Sequence, residues 1–167
     1  MADSASRRTG DRGFDGHAGR HGTCGVDSPM GVRRYKDLIV WQLADGFKGE
    51  IFRLVGASTK AQRDGRYRDQ LMSACSSVAK DVAEGFLRHS PGDFARFLAF
   101  ALGSLAEAEG RLQDGVELGY FSQEDCREAF RFARRAAVAM TRLKVSQQRY
   151  ARDVRANTQS NRRPGRS

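Results

Sequence analysis

Six arginines carry the clearest chemical signal: Arg127, Arg131, Arg134, Arg135, Arg142 and Arg149. At about 100° of turn per residue they fall within an arc of roughly 100° on one helix. Guanidinium forks match phosphate oxygens, so such a stripe backed by a packed face suits binding to a nucleic-acid backbone. Little aromatic character interleaves it, so stacking on unpaired bases is not supported. Two other readings use the same residues. One is a solvated face relieved by Glu124 and Glu128; the other is a dock for an acidic protein.

The carboxylates Asp81, Glu84 and Glu107 invite a di-iron reading, which needs several carboxylates together with two Glu-x-x-His pairs. No Glu-x-x-His occurs, and His89 is the one histidine after residue 34. His17-x-x-x-His21-x-x-Cys24 has zinc-ligand types but lacks a fourth ligand nearby. Phosphate loops, nucleophile elbows and supported Cys/His pairs are missing too. The chain is therefore expected to be no enzyme, with no metal and no cofactor. Gln70, Ser77 and Glu84 are seven apart and share a helix flank. With Ser104 and Glu107 they are expected to form a structural polar network that fixes helix register or a subunit contact.

Four helical segments must position these groups. The first spans about 36–55, with Val40, Ala44, Phe47, Ile51 and Leu54 at helical spacing. Residues 57–65 read as a polar loop. The second spans about 66–87, on the line Leu71, Cys75, Val78, Val82 and Gly85/Phe86. Ser90-Pro91-Gly92-Asp93 opens the third with a cap, an N-terminal proline and a first-turn acid. Phe94, Leu98, Ala101, Leu105, Ala108 and Leu112 carry it to about 118. The fourth starts at Ser122 and buries Cys126, Ala129/Phe130, Ala133, Ala136/Ala137, Met140 and Leu143, continuing to Tyr150. Small residues, among them Gly85, Ala101, Gly103 and Ala133, should let the axes approach closely. The expected architecture is all-α: an antiparallel up-down four-helix bundle over 35–150 with disordered N- and C-terminal tails.

The tails are 1–34, glycine-rich and poor in apolar residues, and 151–167, basic and rich in Asn and Ser. Met30 offers an alternative start, which would leave 1–29 untranslated. The 167 residues suit one domain. Net charge is +9, distributed as +2 over 1–34, −1 over 35–121 and +8 over 122–167. Such one-ended charge points to a polyanionic partner. No run approaches a membrane span, no signal peptide is evident, and three scattered cysteines fit reduced thiols in a cytosol. A cytoplasmic location is expected.

Several pieces occur together in a recognisable order. They are Tyr35-Lys-Asp-Leu38-x-Val40-Trp41-Gln42-x-Ala44, Asp69-Gln70-Leu71, and Ser77-Val78-x-x-Asp81-Val82-Ala83-Glu84-Gly85. Then come Ser90, Phe94-x-x-Phe97-Leu98, Ala101-Leu102-Gly103-Ser104-Leu105-x-Glu107 and Leu118-Gly119-Tyr120. The chain thus resembles the bacterial four-helix-bundle proteins encoded in 23S rRNA intervening sequences. The accessory protein of diversity-generating retroelements is a related member. Ala79 and Asp81 depart from the family's usual proline and asparagine. The resemblance implies a homo-oligomeric ring, pentameric in known relatives. With the basic helix, the expected partners are nucleic acid, structured RNA in this reading, and a protein such as a reverse transcriptase; with no membrane-length apolar run, no membrane is expected.

Overall fold

The computed structural model describes residues 31–160. A single 3-10 turn, Tyr35–Asp37, leads into α1 (Ile39–Ala57), α2 (Thr59–Arg63), α3 (Gly65–Leu87), α4 (Pro91–Glu117) and α5 (Arg127–Ser160). The chain is all-α, an antiparallel up-down bundle of the four long helices.

Contacts between residues far apart in sequence set the direction of each helix. The Arg53 guanidinium at the end of α1 donates to the Asp125 carbonyl just before α5 (3.2 Å). Gly46, mid-way along α1, faces the Phe132 ring of α5. Gly92, at the start of α4, lies beside Ala151 and Arg155 near the end of α5. Packing runs α1 on α3, α3 on α4, α4 on α5 and α5 back on α1, which closes a square. The core is one apolar cluster in which Phe47, Ile51, Leu71, Leu98, Leu105, Leu112 and Met140 are fully buried.

Local chemistry explains the boundaries. The Ser90 hydroxyl accepts from the Asp93 amide with Pro91 in the first turn, so α4 starts where the cap signal lies. Three boundaries differ from the sequence reading. The expected loop at 57–65 holds α2, because Ser58 Oγ accepts from the Ala61 amide (3.2 Å) and Ala61 is buried. Asp64 then caps α3 by accepting from the Tyr67 amide (3.0 Å). The last helix starts at Arg127, not Ser122. Ser122 instead closes a turn, accepting from the Asp125 amide (3.1 Å).

The largest correction concerns the C-terminal tail. The helix continues through 151–160 to Ser160, because neither proline nor glycine interrupts 127–160 and arginine, alanine and glutamine are good helix formers. The first breaker is Pro164. Residues 161–167 lie outside the described residues, as do 1–30. The histidine–cysteine motif and the Met30 start fall there. Among the described residues no helix is long and apolar enough to cross a membrane.

Gly85 meets the close-approach expectation, since an added Cβ would lie 2.5 Å from the Phe97 Cβ. Gly103 does not: a Cβ there would meet nothing, because the residue faces outward.

Candidate nucleic-acid interface

α5 is 34 residues long, about 51 Å at 1.5 Å per residue, against about 28 Å for the 19 residues of α1. Its inner line is mostly alanine: Ala129, Ala133 and Ala136 are fully buried with Met140, and Gln147 is buried further along. Small side chains seat the helix tightly and aim the opposite face outward. On that face Arg127, Arg131, Arg134, Arg135, Arg142 and Arg149 are all exposed. The structure therefore brings the six together as one outward row.

Their electrostatic settings differ. Arg127 pairs with Glu124, and Arg131 with Glu128 at 3.0 Å. Arg134 lies near Glu109 of α4, whose carboxyl burial pushes above the ordinary range and Arg134 partly pulls back. Arg135, Arg142 and Arg149 make no ion pair among the described residues. Over 127–160 nine basic residues face two acids, a net +7. The exposed ion pairs compete weakly with a polyanion, since surface pairs contribute about 0–1 kcal/mol.

Two residues in the row escaped the sequence reading. Val138 is 49% exposed and Val145 37% exposed. They sit seven apart inside the arginine arc, so the same helical-wheel arithmetic that grouped the arginines was able to find them. A shallow groove lined by Thr141, Arg142, Val145, Ser146 and Arg149 follows this part of the helix.

The polar set divides. Gln70, Ser77, Ser104 and Glu107 line one groove of about 380 Å³ along the α3–α4 seam, whereas Glu84 is not part of it. Two links between side chains cross the seam. The Arg111 guanidinium donates to the Gln70 side-chain oxygen (2.8 Å) and to Glu107 within its own helix (2.8 Å). The Ser104 hydroxyl donates to the Asp81 carboxylate (3.1 Å). Ser77 and Glu84 bond within α3 or its cap, to the Ser73 carbonyl and to Arg88. Asp81 and Arg111, the residues that complete the crossings, were not singled out for this network, because their role depends on which helices become neighbours.

Among the described residues neither cysteine offers a nucleophile. Cys75 and Cys126 are fully buried, and loss of solvation pushes both thiols up to about 11. No cluster of three metal-ligating side chains occurs among the described residues.

Asp81 yields a pH prediction. Burial raises its carboxyl above the ordinary aspartate range, and the Ser104 hydrogen bond opposes this only in part. The folded state thus holds the proton more tightly than the unfolded chain does. Stability should fall as pH rises through the folded value, and stay lower above it. Asp81→Asn keeps an acceptor for Ser104 and removes the charge. Thermal unfolding should show the variant more stable than the parent at about pH 7 and level with it at about pH 3. Equal melting temperatures at both would disprove the effect.

The fold and the site define a class: a small up-down helical bundle whose long final helix presents an arginine row. A family model described as 23S rRNA-intervening sequence protein matches residues 36–141, and the chain belongs to that family. The match takes in the row as far as Arg135 and stops short of Arg142 and Arg149. No curated protein matches the chain.

Proposed function

We propose that this chain is a non-enzymatic, cytoplasmic, homo-oligomeric accessory protein that binds structured RNA through the basic face of α5. The observation that carries the reading is the exposure of all six arginines on one outward arc of a helix carrying +7. Phosphate contacts by such a row are electrostatic and sequence-independent, and they position a ligand rather than read it. Family membership supports an RNA context. Self-association is supported by Phe52 and Phe100, 41% and 51% exposed on the outside of α1 and α4. The other surplus aromatics contribute less: Phe97 is buried beneath Arg88 and Arg96, and half-buried Trp41 packs on Tyr35.

Fluorescence-anisotropy titrations of the full chain test the ligand. Log affinity for a structured RNA should fall linearly with log salt, and the RNA should outcompete heparin at equal charge. Heparin winning at every salt concentration would overturn RNA as the ligand. Light scattering at micromolar concentration should give an oligomer, pentameric in this reading, and a monomer would remove the assembly claim.

Val138 and Val145 favour a second reading, in which the face docks an acidic protein partner. Exposed valines between arginines suit an amphipathic acidic helix. Salt-insensitive capture of one protein, with no RNA bound, would favour it.

A further inference from the structure

Inside the protomer, helical glycines are met by aromatic rings. Gly46 faces Phe132, Gly85 faces Phe94 and Phe97, and Gly115 faces Phe121. Two glycines and two phenylalanines on the outside of the bundle are left without such a match. Gly49 on α1 and Gly103 on α4 are exposed, and an added Cβ at either would have no described neighbour within 4 Å. Phe52 on α1 and Phe100 on α4 are 41% and 51% exposed. Glycine weakens an exposed helix relative to alanine, and at these two positions nothing among the described residues offsets that.

Resting on the self-association reading above, we infer that α1 of one copy packs in parallel on α4 of the next, each exposed phenylalanine seated over the other helix's glycine. α1 and α4 hold opposite corners of the square and run in the same direction. A copy related by rotation about an axis along the bundle therefore presents them to each other as a parallel pair. Gly49 to Phe52 and Phe100 to Gly103 are both three-residue steps, about 4.5 Å along the axis. Setting Gly49 level with Phe100 thus sets Phe52 level with Gly103, a knob facing a hole at both places. An antiparallel alignment of the same residues would set glycine on glycine and ring on ring.

Charge agrees with this register. Asp45 and Arg96 each lie four residues earlier on their helices, so the same alignment sets them level, opposite in sign. Within the protomer Asp45 pairs with Lys48, and Arg96 reaches Asp93 only at 3.7 Å. Both pairs are solvent-exposed and weak, so they yield readily to a contact across copies. The contact joins two different surfaces head to tail, as an odd-membered ring requires; a two-fold contact pairs two copies and stops. It also leaves the arginine row uncovered, because α5 holds another corner of the square.

Light scattering of the full chain at micromolar concentration tests the pairing. Gly49→Leu blocks the α1 face and Gly103→Leu the α4 face, and neither position is packed inside its own protomer. Overpacking should weaken association about ten- to hundredfold or more, so each variant alone should run as a monomer with circular dichroism unchanged. Mixed in equal amounts, the two should form a dimer and nothing larger, because one usable α1 face then meets one usable α4 face. Asp45→Arg and Arg96→Asp should each weaken association about tenfold or more, and together restore it. If a leucine variant loses helix content, this charge exchange decides. Parent-sized oligomers from both leucine variants would overturn the pairing and leave self-association standing. So would a mixture that stays monomeric, or charge reversals that fail to compensate. A monomeric parent chain would overturn both.

Discussion

Replacing Arg127, Arg131, Arg134 and Arg135 together with glutamine should lower RNA affinity by about three decades near 0.1 M salt. Each phosphate contact contributes roughly 0.7–0.9 to the slope of log affinity against log salt, so four contacts account for a slope of about 3. The slope should flatten by that amount, and the loss should be similar across unrelated RNA sequences. Glutamine retains helix propensity, and all four side chains are exposed, so the bundle should persist. Arg127 and Arg131 leave Glu124 and Glu128 unpaired, but those partners are exposed too and lose little. Glutamine at Arg53, Arg66 and Arg68 is the control. Arg53 is occupied with Glu50 and the Asp125 carbonyl, and Arg68 with Asp69. Unchanged affinity and slope in a folded, oligomeric variant would make the row a solvated face and favour the protein-docking reading.

The row was legible because helical geometry maps sequence spacing directly onto angle, and because an alanine-rich inner line fixes which way the opposite face points. The same local logic explains the α4 start at Ser90-Pro91 and the buried lines of α1, α3 and α4. What escaped depends on neighbours. The Tyr67 and Tyr120 hydroxyls look like ordinary surface groups in sequence. In the fold they donate to the Arg111 carbonyl (2.9 Å) and the Asp64 carboxylate (2.8 Å). α2 was hidden because five residues are too few for a periodic signal, and it exists through the Ser58 cap and one buried alanine. The extension of α5 to Ser160 was hidden for a different reason. Its composition reads as a solvated tail, yet Ala151 and Arg155 lie against Gly92 at the start of α4, so the helix keeps a neighbour there.

That hydroxyl-rich end of the bundle is where one added carbon should be most damaging. α1, α2, α3 and α4 converge there, and the chain leaves it to begin α5. Gly115 is buried on α4, and an added Cβ would fall on the Tyr67 hydroxyl oxygen. It would also lie 2.8 and 2.9 Å from two carbons of the Phe121 ring. Tyr67 has little room to yield. Its hydroxyl is bonded to the Arg111 carbonyl, its ring packs edge-on against Tyr120 with centroids 4.9 Å apart, and its amide is held by the Asp64 cap. Gly115→Ala should therefore cost about 1–3 kcal/mol from overpacking, with about 1 kcal/mol more if the Tyr67 hydrogen bond breaks. The gain in helix propensity from glycine to alanine, about 1 kcal/mol, offsets only part of this. Removing the obstructing oxygen provides the decisive comparison. Tyr67→Phe alone should cost about 1 kcal/mol through the lost hydrogen bond. Combined with Gly115→Ala it should cost less than the sum of the two, because the Cβ no longer meets Oη. Denaturant unfolding of the four proteins measures that coupling. Strict additivity would mean that Phe121, not Tyr67, sets the close approach, and that the hydroxyl moves aside freely.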